Sequence, residues 1–333
     1  MHNDEKYLPI LDGWRALSIL LVLVGHWLPL GPAYWQLNAS VAASGMALFF
    51  CLSGFLITQF LSADPRVGVF LVKRLFRIIP LAWLAIAILV FFNQPSSFKA
   101  TANFLFFANL DPNALMVGGE HLWSLSVEMQ FYFFMALLVL LAGKRAIFLI
   151  PVLTLLITSL RVYGNQPISI VTWHRVDEIF IGGCVALAWN SQCMISRTLK
   201  FHPYLSIALL VGLLTVSLPQ LGQLAYLRPY VAGATVFVSL YAFPAGLYRK
   251  WTGKTAKYIA QISYAVYVFH GMLSATPLGG HDVSKIEKYL LRAPLAIATL
   301  ALSHISTFYY EKKAIAFGNS LVKKITLSNE GKR

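Results

Sequence analysis

The chain has 333 residues, of which 58% are hydrophobic and only 12% charged, and its mean hydropathy is +0.66. Soluble domains carry about 25% charged residues, so this composition excludes a water-soluble globular protein. The net charge is +14; because the basic residues lie between apolar runs, we interpret this charge as membrane topology and expect no nucleic-acid partner.

Ten apolar stretches have lengths near the roughly 20 residues that a helix needs to cross a bilayer. The predicted spans lie near 14–32, 41–61, 75–93, 123–142, 146–163, 177–193, 204–220, 229–248, 258–277 and 293–311. The apolar stretch 100–109 is too short to cross, and we interpret it as re-entrant or interfacial. The sequence therefore predicts an all-α, polytopic integral membrane protein with about ten transmembrane helices.

The distribution of Lys and Arg predicts the orientation of these spans. If the N-terminus is inside, 20 of the 27 Lys and Arg residues fall in inside segments and 7 in outside segments. Cytoplasmic connections carry such an excess, so both termini are predicted to be cytoplasmic. The predicted organisation is a single transmembrane domain over 1–312 and a short basic cytoplasmic tail over 313–333.

Three ionisable residues, Asp12, Arg15 and His26, lie in or beside the first predicted span. An ionisable group inside a membrane costs at least about 2.5 kcal/mol, so each needs a reason. Arg15 and His26 are 11 residues apart, about three helical turns, which places both on one helix face and His26 just past mid-membrane. A snorkelling anchor and a helix–helix hydrogen bond are the structural alternatives, but the combination favours a functional site.

Polar residues recur in the later spans. Arg74 and Arg77 lie three residues apart at the inner face, where guanidinium forks suit phosphate and also serve as topological anchors. Glu128 lies about a turn and a half inside the outer boundary, where a carboxylate needs a partner or a proton. The other polar or aromatic candidates are Ser53, Trp123, Ser126, Arg175, Asp177, Tyr264 and His270. Ser53 beside a glycine is also typical of close helix packing.

Three classes of function are open on these residues alone. A cationic inner layer with a His and carboxylate centre suits transfer of a group from an anionic cytoplasmic donor. A secondary transporter or flippase is the alternative, although the broken helices typical of that class are only weakly indicated. A structural membrane protein would not need Arg15, His26 and Glu128 in register. The three cysteines form no C-x-x-C motif, so neither a disulfide framework nor a metal site is predicted.

Six segments together resemble the acyltransferase-3 family of membrane O-acyltransferases, which modify bacterial surface glycans. In chain order they are LDGWRALSILLVLVGH (11–26), SGMALFFCLSGFLIT (44–58), KRLFRIIPLAW (73–83), HLWSLSVEMQFY (121–132), RVDEIFIGG (175–183) and ISYAVYVFH (262–270). The functional signatures of the family fall on Arg15 with His26 and on Arg74 with Arg77. Trp14 and Met129 depart from the usual residues of the family. Many relatives carry a fused extracytoplasmic hydrolase-like domain, and we expect this chain to be the stand-alone form.

The resemblance implies a multi-pass enzyme of the bacterial inner membrane that moves an acyl group, expected to be acetyl, from cytoplasmic acyl-CoA to a hydroxyl of a glycan or lipid-linked sugar. Acyl-CoA is then a co-substrate, with no permanently bound cofactor and no metal. Arg15, Arg74 and Arg77 would bind the CoA phosphates, and His26 and Glu128 would be catalytic. The residues expected to contact the acceptor or support the site are Asp12, Ser53, Trp123, Ser126, Arg175, Asp177, Tyr264 and His270. Direct transfer and an acyl-enzyme both fit, and no oligomeric state is predicted.

Overall fold

The computed structural model describes residues 7–191, 198, 202–280 and 283–330, and every regular element in these ranges is helical. The predicted inside connection with Arg197 and Lys200 lies outside them. The α-helices are α1 (Pro9–Trp27), α2 (Leu37–Ala63), α3 (Val67–Asn93), α4 (Ser97–Phe104), α5 (Trp123–Ala142), α6 (Ile150–Tyr163), α7 (Asp177–Asn190), α8 (Leu205–Val216), α9 (Arg228–Tyr241), α10 (Ala245–Trp251), α11 (Lys254–Ser274), α12 (Lys285–Leu290), α13 (Arg292–Ile305) and α14 (Lys312–Glu330). The all-α class is thereby confirmed for the described residues.

Six helical stretches of the described chain are long and apolar enough to cross a membrane. They are Pro9–Trp27, Ala33–Ala63, Val67–Asn93, Glu120–Ala142, Lys144–Tyr163 and Ile286–Thr326. A bent pair, Pro219–Tyr241 with Ala245–Trp251, turns by 103° and would make a seventh span. A multi-pass membrane protein is therefore supported, while the count of ten and the cytoplasmic termini stay predictions.

The helix boundaries match the sequence prediction at some spans and differ at others. Helix α5 has the predicted bounds, whereas α1 begins at Pro9 and ends at Trp27. The predicted first span continued to residue 32 because Leu28 and Leu30 are apolar. Proline disfavours helical backbone in the residue before it, and Leu28, which precedes Pro29, is extended with ψ 148°. His26 consequently lies in the last turn of α1 and not near its middle.

Two compact units, each made of two stretches of chain, can be distinguished. The first comprises residues 1–63 and 144–263, and its central helix is α2, which packs against α1, α7 and α9. Trp14 anchors this core: its side chain is fully buried, and its indole Nε1 donates a 2.7 Å hydrogen bond to Ser239 Oγ. Its ring also makes an edge contact with Trp251 at a centroid distance of 5.1 Å. The residue that departs from the family pattern thus has a structural role.

Helices α2 and α7 cross at very short range because glycine lies at the crossing on both helices. A Cβ added to Gly54 would lie 1.8 Å from the carbonyl oxygen of Ile179, and one added to Gly182 would lie 1.9 Å from that of Cys51. Backbone carbonyls cannot move aside as a side chain can. Close approach of this kind is how helices gain packing energy where no hydrophobic effect drives association.

Replacing Gly182 with alanine is expected to destabilise the protein by about 1–3 kcal/mol, the usual cost of overpacking. The measurement is thermal unfolding of the detergent-purified protein. Gly246→Ala in α10 is the matched control, because its added Cβ would meet no atom within 4 Å. Equal unfolding temperatures for the two variants would contradict the close crossing of α2 and α7.

The second unit comprises residues 64–143 and 264–333. Its helix α3 packs against α4, α5 and α14. Helices α13 and α14 are joined without a break by a π-helical turn, Ser306–Glu311. Helix α14 covers most of the predicted tail. It packs on α3, where the ring centroids of Phe317 and Phe76 are 5.5 Å apart.

Candidate active site

In the first unit, α1 carries the basic residue and the histidine predicted as a functional pair. The ion pair between Arg15 Nη1 and Asp12 Oδ1 measures 3.8 Å, and the two side chains are only 19% and 17% exposed. Tyr7 donates a hydrogen bond to Asp12, which raises the pKa of Tyr7 to about 12 and keeps its hydroxyl protonated at neutral pH. Asp12 is thus held between Tyr7 and Arg15 at the start of the helix.

His26 lies in the last turn of α1 with an exposed side chain. Asn38 of α2 fixes the backbone on both sides of it: the Asn38 Nδ2 group donates to the carbonyls of Gly25 at 2.8 Å and Leu28 at 2.6 Å. The last carbonyls of a helix lack intrahelical partners, so Asn38 satisfies groups that would otherwise be unpaired. This cap holds the imidazole at a defined place on a continuous helix with Arg15.

Five buried charged residues connect α6, α7 and α9. Arg161 pairs with Asp177, and Glu178 pairs with both Arg228, at 2.6 Å, and Arg175, at 3.3 Å. None of these five side chains is more than 4% exposed. Arg175 and Asp177 were predicted to contact the acceptor or support the site, and the structure places both in this buried set of ion pairs.

Replacing Asp177 with alanine is expected to destabilise the protein by about 3–5 kcal/mol, because it leaves Arg161 buried without its counter-charge. Thermal unfolding in detergent is the readout. The double variant Asp177→Ala/Arg161→Met removes both charges and should recover much of the loss. If the double variant were no more stable than Asp177→Ala alone, the unpaired charge of Arg161 would not be the cause of the destabilisation.

Ser53 is the remaining predicted site residue of the first unit. It lies in α2 with only 8% of its surface exposed, directly before Gly54. The neighbouring Gly54 is where α7 crosses α2, as a packing role of the Ser53-Gly54 pair would require. The structure therefore gives weight to the packing interpretation of this pair.

In the second unit, Arg74 and Arg77 lie on one face of α3, as their spacing predicts. The Arg74 guanidinium lies over the ring of Tyr132 at 5.9 Å from its centroid, a cation–π contact. Arg77 is exposed and makes no hydrogen bond or ion pair with any residue that the structure describes. An exposed guanidinium that makes no hydrogen bond or ion pair is available for an anionic ligand.

Glu128 in α5 is 5% exposed, and Tyr132 one turn later donates a 2.5 Å hydrogen bond to its Oε1. The same tyrosine ring lies under Arg74, so Tyr132 connects the carboxylate with the cationic face of α3. Arg77 is within electrostatic reach of Glu128. Glu128 thus has the partner that a carboxylate in a membrane helix requires.

Two further predicted site residues, Trp123 and Ser126, lie near the start of α5, and Trp123 is on a different face of the helix from Glu128. Trp123 is the first residue of the helix and is half-buried, while Ser126 is buried with 3% exposed. Trp123 and Glu128 are five residues apart, which is about 140° around the helix axis. The two side chains therefore point to different sides of α5, and the predicted roles of Trp123 and Ser126 stay predictions.

Helix α11 contributes two predicted residues that bind backbone carbonyls. Tyr264 donates to the carbonyl of Ile78 at 2.6 Å, immediately after Arg77 on α3. His270 Nδ1 donates to the Tyr267 carbonyl at 2.6 Å, and its ring lies 4.7 Å from that of His121. Both residues are buried and support the second unit.

The structure adds residues to those predicted from sequence. In the first unit Asp12 forms an ion pair with Arg15. In the second unit a tyrosine links Glu128 to Arg74, through a hydrogen bond to the carboxylate and a cation–π contact with the guanidinium. This tyrosine, Tyr132, could have been predicted from the sequence as a partner of Glu128, because residues four apart on a helix are neighbours. Asn38, Arg161 and Arg228 act through contacts distant in sequence, and no local signal predicts their partners.

A family model described as an acyltransferase domain matches residues 8–303. A peptidoglycan O-acetyltransferase of Listeria monocytogenes is 26% identical over 80% of this chain and 49% of its own length. An O-acetyltransferase of Staphylococcus aureus is 25% identical over 80% of this chain and 50% of its own. A putative peptidoglycan O-acetyltransferase of Bacillus subtilis is 28% identical over 59% of this chain and 36% of its own. No solved structure gives a significant match.

The chain belongs to the acyltransferase-3 family, because the family model covers nearly all of it. The resemblance predicted from the six sequence segments is thereby confirmed. The matched region is an acyltransferase domain, and it includes every candidate residue named above. The chain spans about half the length of the first two curated relatives that it matches.

Proposed function

We propose that the protein is an integral-membrane O-acetyltransferase that moves an acetyl group from cytoplasmic acetyl-CoA to a hydroxyl of a cell-wall glycan. The observation that carries this proposal is the match of residues 8–303 to an acyltransferase domain. The names of the Listeria and Bacillus relatives support peptidoglycan as the acceptor. These matches favour an enzyme over the transporter alternative.

The donor's phosphates are assigned to the cationic face of α3. CoA carries a pyrophosphate and a ribose phosphate, and a guanidinium fork binds such groups through charge-assisted hydrogen bonds. Arg77 is exposed and makes no hydrogen bond or ion pair with a described residue, and Arg74 lies beside it on the same face. Arg15 of the first unit, which pairs with Asp12, was predicted to bind the same phosphates, and that assignment stays a prediction.

His26 is assigned as the general base. A hydroxyl is a weak nucleophile until a base takes its proton, and imidazole titrates in the range that suits this task. The hydroxyl oxygen forms a bond to the thioester carbonyl carbon, while its proton passes to the imidazole nitrogen. The carbon–sulfur bond then breaks, and the CoA sulfur leaves with the proton that His26 returns. The products are an acetyl ester and free CoA.

The acceptor assignment is tested by expressing the protein in a bacterial host that lacks related enzymes. Peptidoglycan is purified and the acetate released by mild base is quantified, with His26→Ala and an empty vector as controls. We expect base-labile acetate above the vector level for the wild type alone. Acetate in another glycan fraction would support an O-acetyltransferase with a different acceptor. CoA release by the purified protein without formation of any acetyl ester would contradict O-acetylation.

A further inference from the structure

A π-helical turn, Ser306–Glu311, interrupts the long helical stretch that ends the second unit. Such turns insert a residue into the α-helical hydrogen-bond ladder, are unfavourable by themselves and occur often at functional sites. The turn ends in Glu311, an acidic side chain that is only 7% exposed inside an apolar stretch long enough to cross a membrane. Both features need a physical explanation.

The turn itself provides hydrogen bonds to the carboxylate. Ser306 Oγ and Thr307 Oγ1 each donate a 3.0 Å hydrogen bond to Glu311 Oε1, and both hydroxyl residues are themselves 7% exposed. Two neutral hydroxyls orient one oxygen of the carboxylate but do not balance its charge. A buried carboxylate is tolerated when a cation lies nearby.

Helix α3 provides the nearby cation. Residues on both sides of Glu311 contact α3: Tyr310 donates to the carbonyl of Pro80 at 3.2 Å, and a Cβ added to Gly318 would lie 2.7 Å from Phe76 Cβ. Arg77 lies between Phe76 and Pro80 on that helix, and it is within electrostatic reach of Glu311. The π turn therefore presents its carboxylate to the part of α3 that carries Arg77.

We propose that Glu311 is a positioning residue for donor binding: held by Ser306 and Thr307, its carboxylate orients the Arg77 guanidinium toward the phosphates of acyl-CoA. The inference rests on the proposed function, since it assigns Arg77 to the donor. The charges of two buried carboxylates from different elements, Glu128 of α5 and Glu311 of the π turn, both act on Arg77. Two fixed charges restrict the orientation of a flexible guanidinium and so lower the entropy lost on binding.

A purely structural role is the competing explanation, in which Glu311 only accepts the hydroxyls that shape the turn. Glu311→Gln separates the two roles, because glutamine keeps an oxygen for Ser306 and Thr307 and removes the charge. Tyr310→Phe is the matched control: it removes the hydrogen bond to Pro80 from the same turn without changing any charge.

The test is steady-state kinetics of CoA release with acetyl-CoA, using the full-length protein in lipid nanodiscs and the four members of the Glu311→Gln and Arg77→Ala cycle. We expect Glu311→Gln to raise KM for acetyl-CoA about tenfold, the loss expected for one charge-assisted interaction, and to leave kcat within about twofold. In the Arg77→Ala background the same change should have no further effect, because the two residues act as one unit. Tyr310→Phe should keep the wild-type KM.

An unchanged KM for Glu311→Gln would overturn the inference, and so would an equal effect with and without Arg77. A parallel fall in kcat and unfolding temperature in both Glu311→Gln and Tyr310→Phe would assign the turn a structural role only. In all these cases the wild type still releases CoA, so the assignment of acetyl-CoA as donor stands. If the wild type released no CoA from acetyl-CoA, the proposed function itself would fail, and the role of Glu311 with it.

Discussion

Replacing His26 with alanine is expected to lower the rate of acyl transfer by about 10²–10⁴-fold, the usual contribution of a general base. The imidazole takes the proton of the acceptor hydroxyl, and alanine has no group that can do so. Since His26 is exposed at the end of α1, its removal leaves no buried cavity, and the fold should be retained. The measurement is kcat for CoA release in the presence of a glycan acceptor, together with the unfolding temperature.

His202→Ala is the matched control for this prediction, because His202 is an exposed histidine outside the candidate site. It should keep the wild-type rate. If His26→Ala retained more than about a tenth of the wild-type rate, His26 would not be the base. The structural alternative, in which His26 makes a helix–helix hydrogen bond, would then be favoured.

The second large effect is expected at Arg77. A charge-assisted hydrogen bond contributes about 1.5–3 kcal/mol, and each 1.4 kcal/mol is a factor of ten, so Arg77→Ala should raise KM for acetyl-CoA by roughly 10–150-fold. Arg77→Lys should have an intermediate effect, because it keeps the charge and loses the planar fork. Initial rates over a range of acetyl-CoA concentrations measure both.

Arg66→Ala is the control for a basic residue next to the same helix. Arg66 lies at the exposed start of α3, and its pairing with Asp64 at 2.7 Å is a surface contact of little energetic weight. Its variant should bind acetyl-CoA with the wild-type KM. An equal rise of KM for Arg66→Ala and Arg77→Ala would indicate a general electrostatic effect of the basic face and contradict a specific phosphate contact.

Hydropathy and helical spacing predicted the parts of this protein that depend on local sequence. The all-α class, the bounds of α5 and the shared helix of Arg15 and His26 follow from apolar run lengths and 3.6-residue periodicity. The end of α1 was missed because apolar residues continue beyond Trp27, although the proline that follows Leu28 ends the helix. Attention to that proline would have placed His26 in the last turn.

The partners of the buried charges could not be predicted from one sequence. Arg161 and Asp177 are 16 residues apart on different helices, and Arg228 meets Glu178 across 50 residues. Such pairing depends on how helices pack, which local periodicity does not specify. The π turn is a similar case, because Ser306–Glu311 would also suit an ordinary α-helix and its hydrogen-bond pattern has no local sequence signature.

The roles of individual residues were also hard to predict, because they depend on the same packing of helices. Arg175 and Asp177 were predicted to contact the acceptor or support the site because they lie near the outer membrane boundary. The structure places both in buried ion pairs that join neighbouring helices, which sequence spacing alone does not reveal. Arg77 is exposed and makes no hydrogen bond or ion pair with a described residue, which fits both a topological anchor and a phosphate contact, so its predicted role stays a prediction.

Transfer of label from radioactive acetyl-CoA in isolated membranes tests the central claim most directly. Free CoA thiol and base-labile label in the glycan fraction are measured together for the wild type and His26→Ala. Acetyl transfer from acetyl-CoA predicts that the wild type produces both and His26→Ala produces neither. A wild type that releases no CoA and labels no glycan would contradict the assignment of acetyl-CoA as donor and the enzyme proposed here.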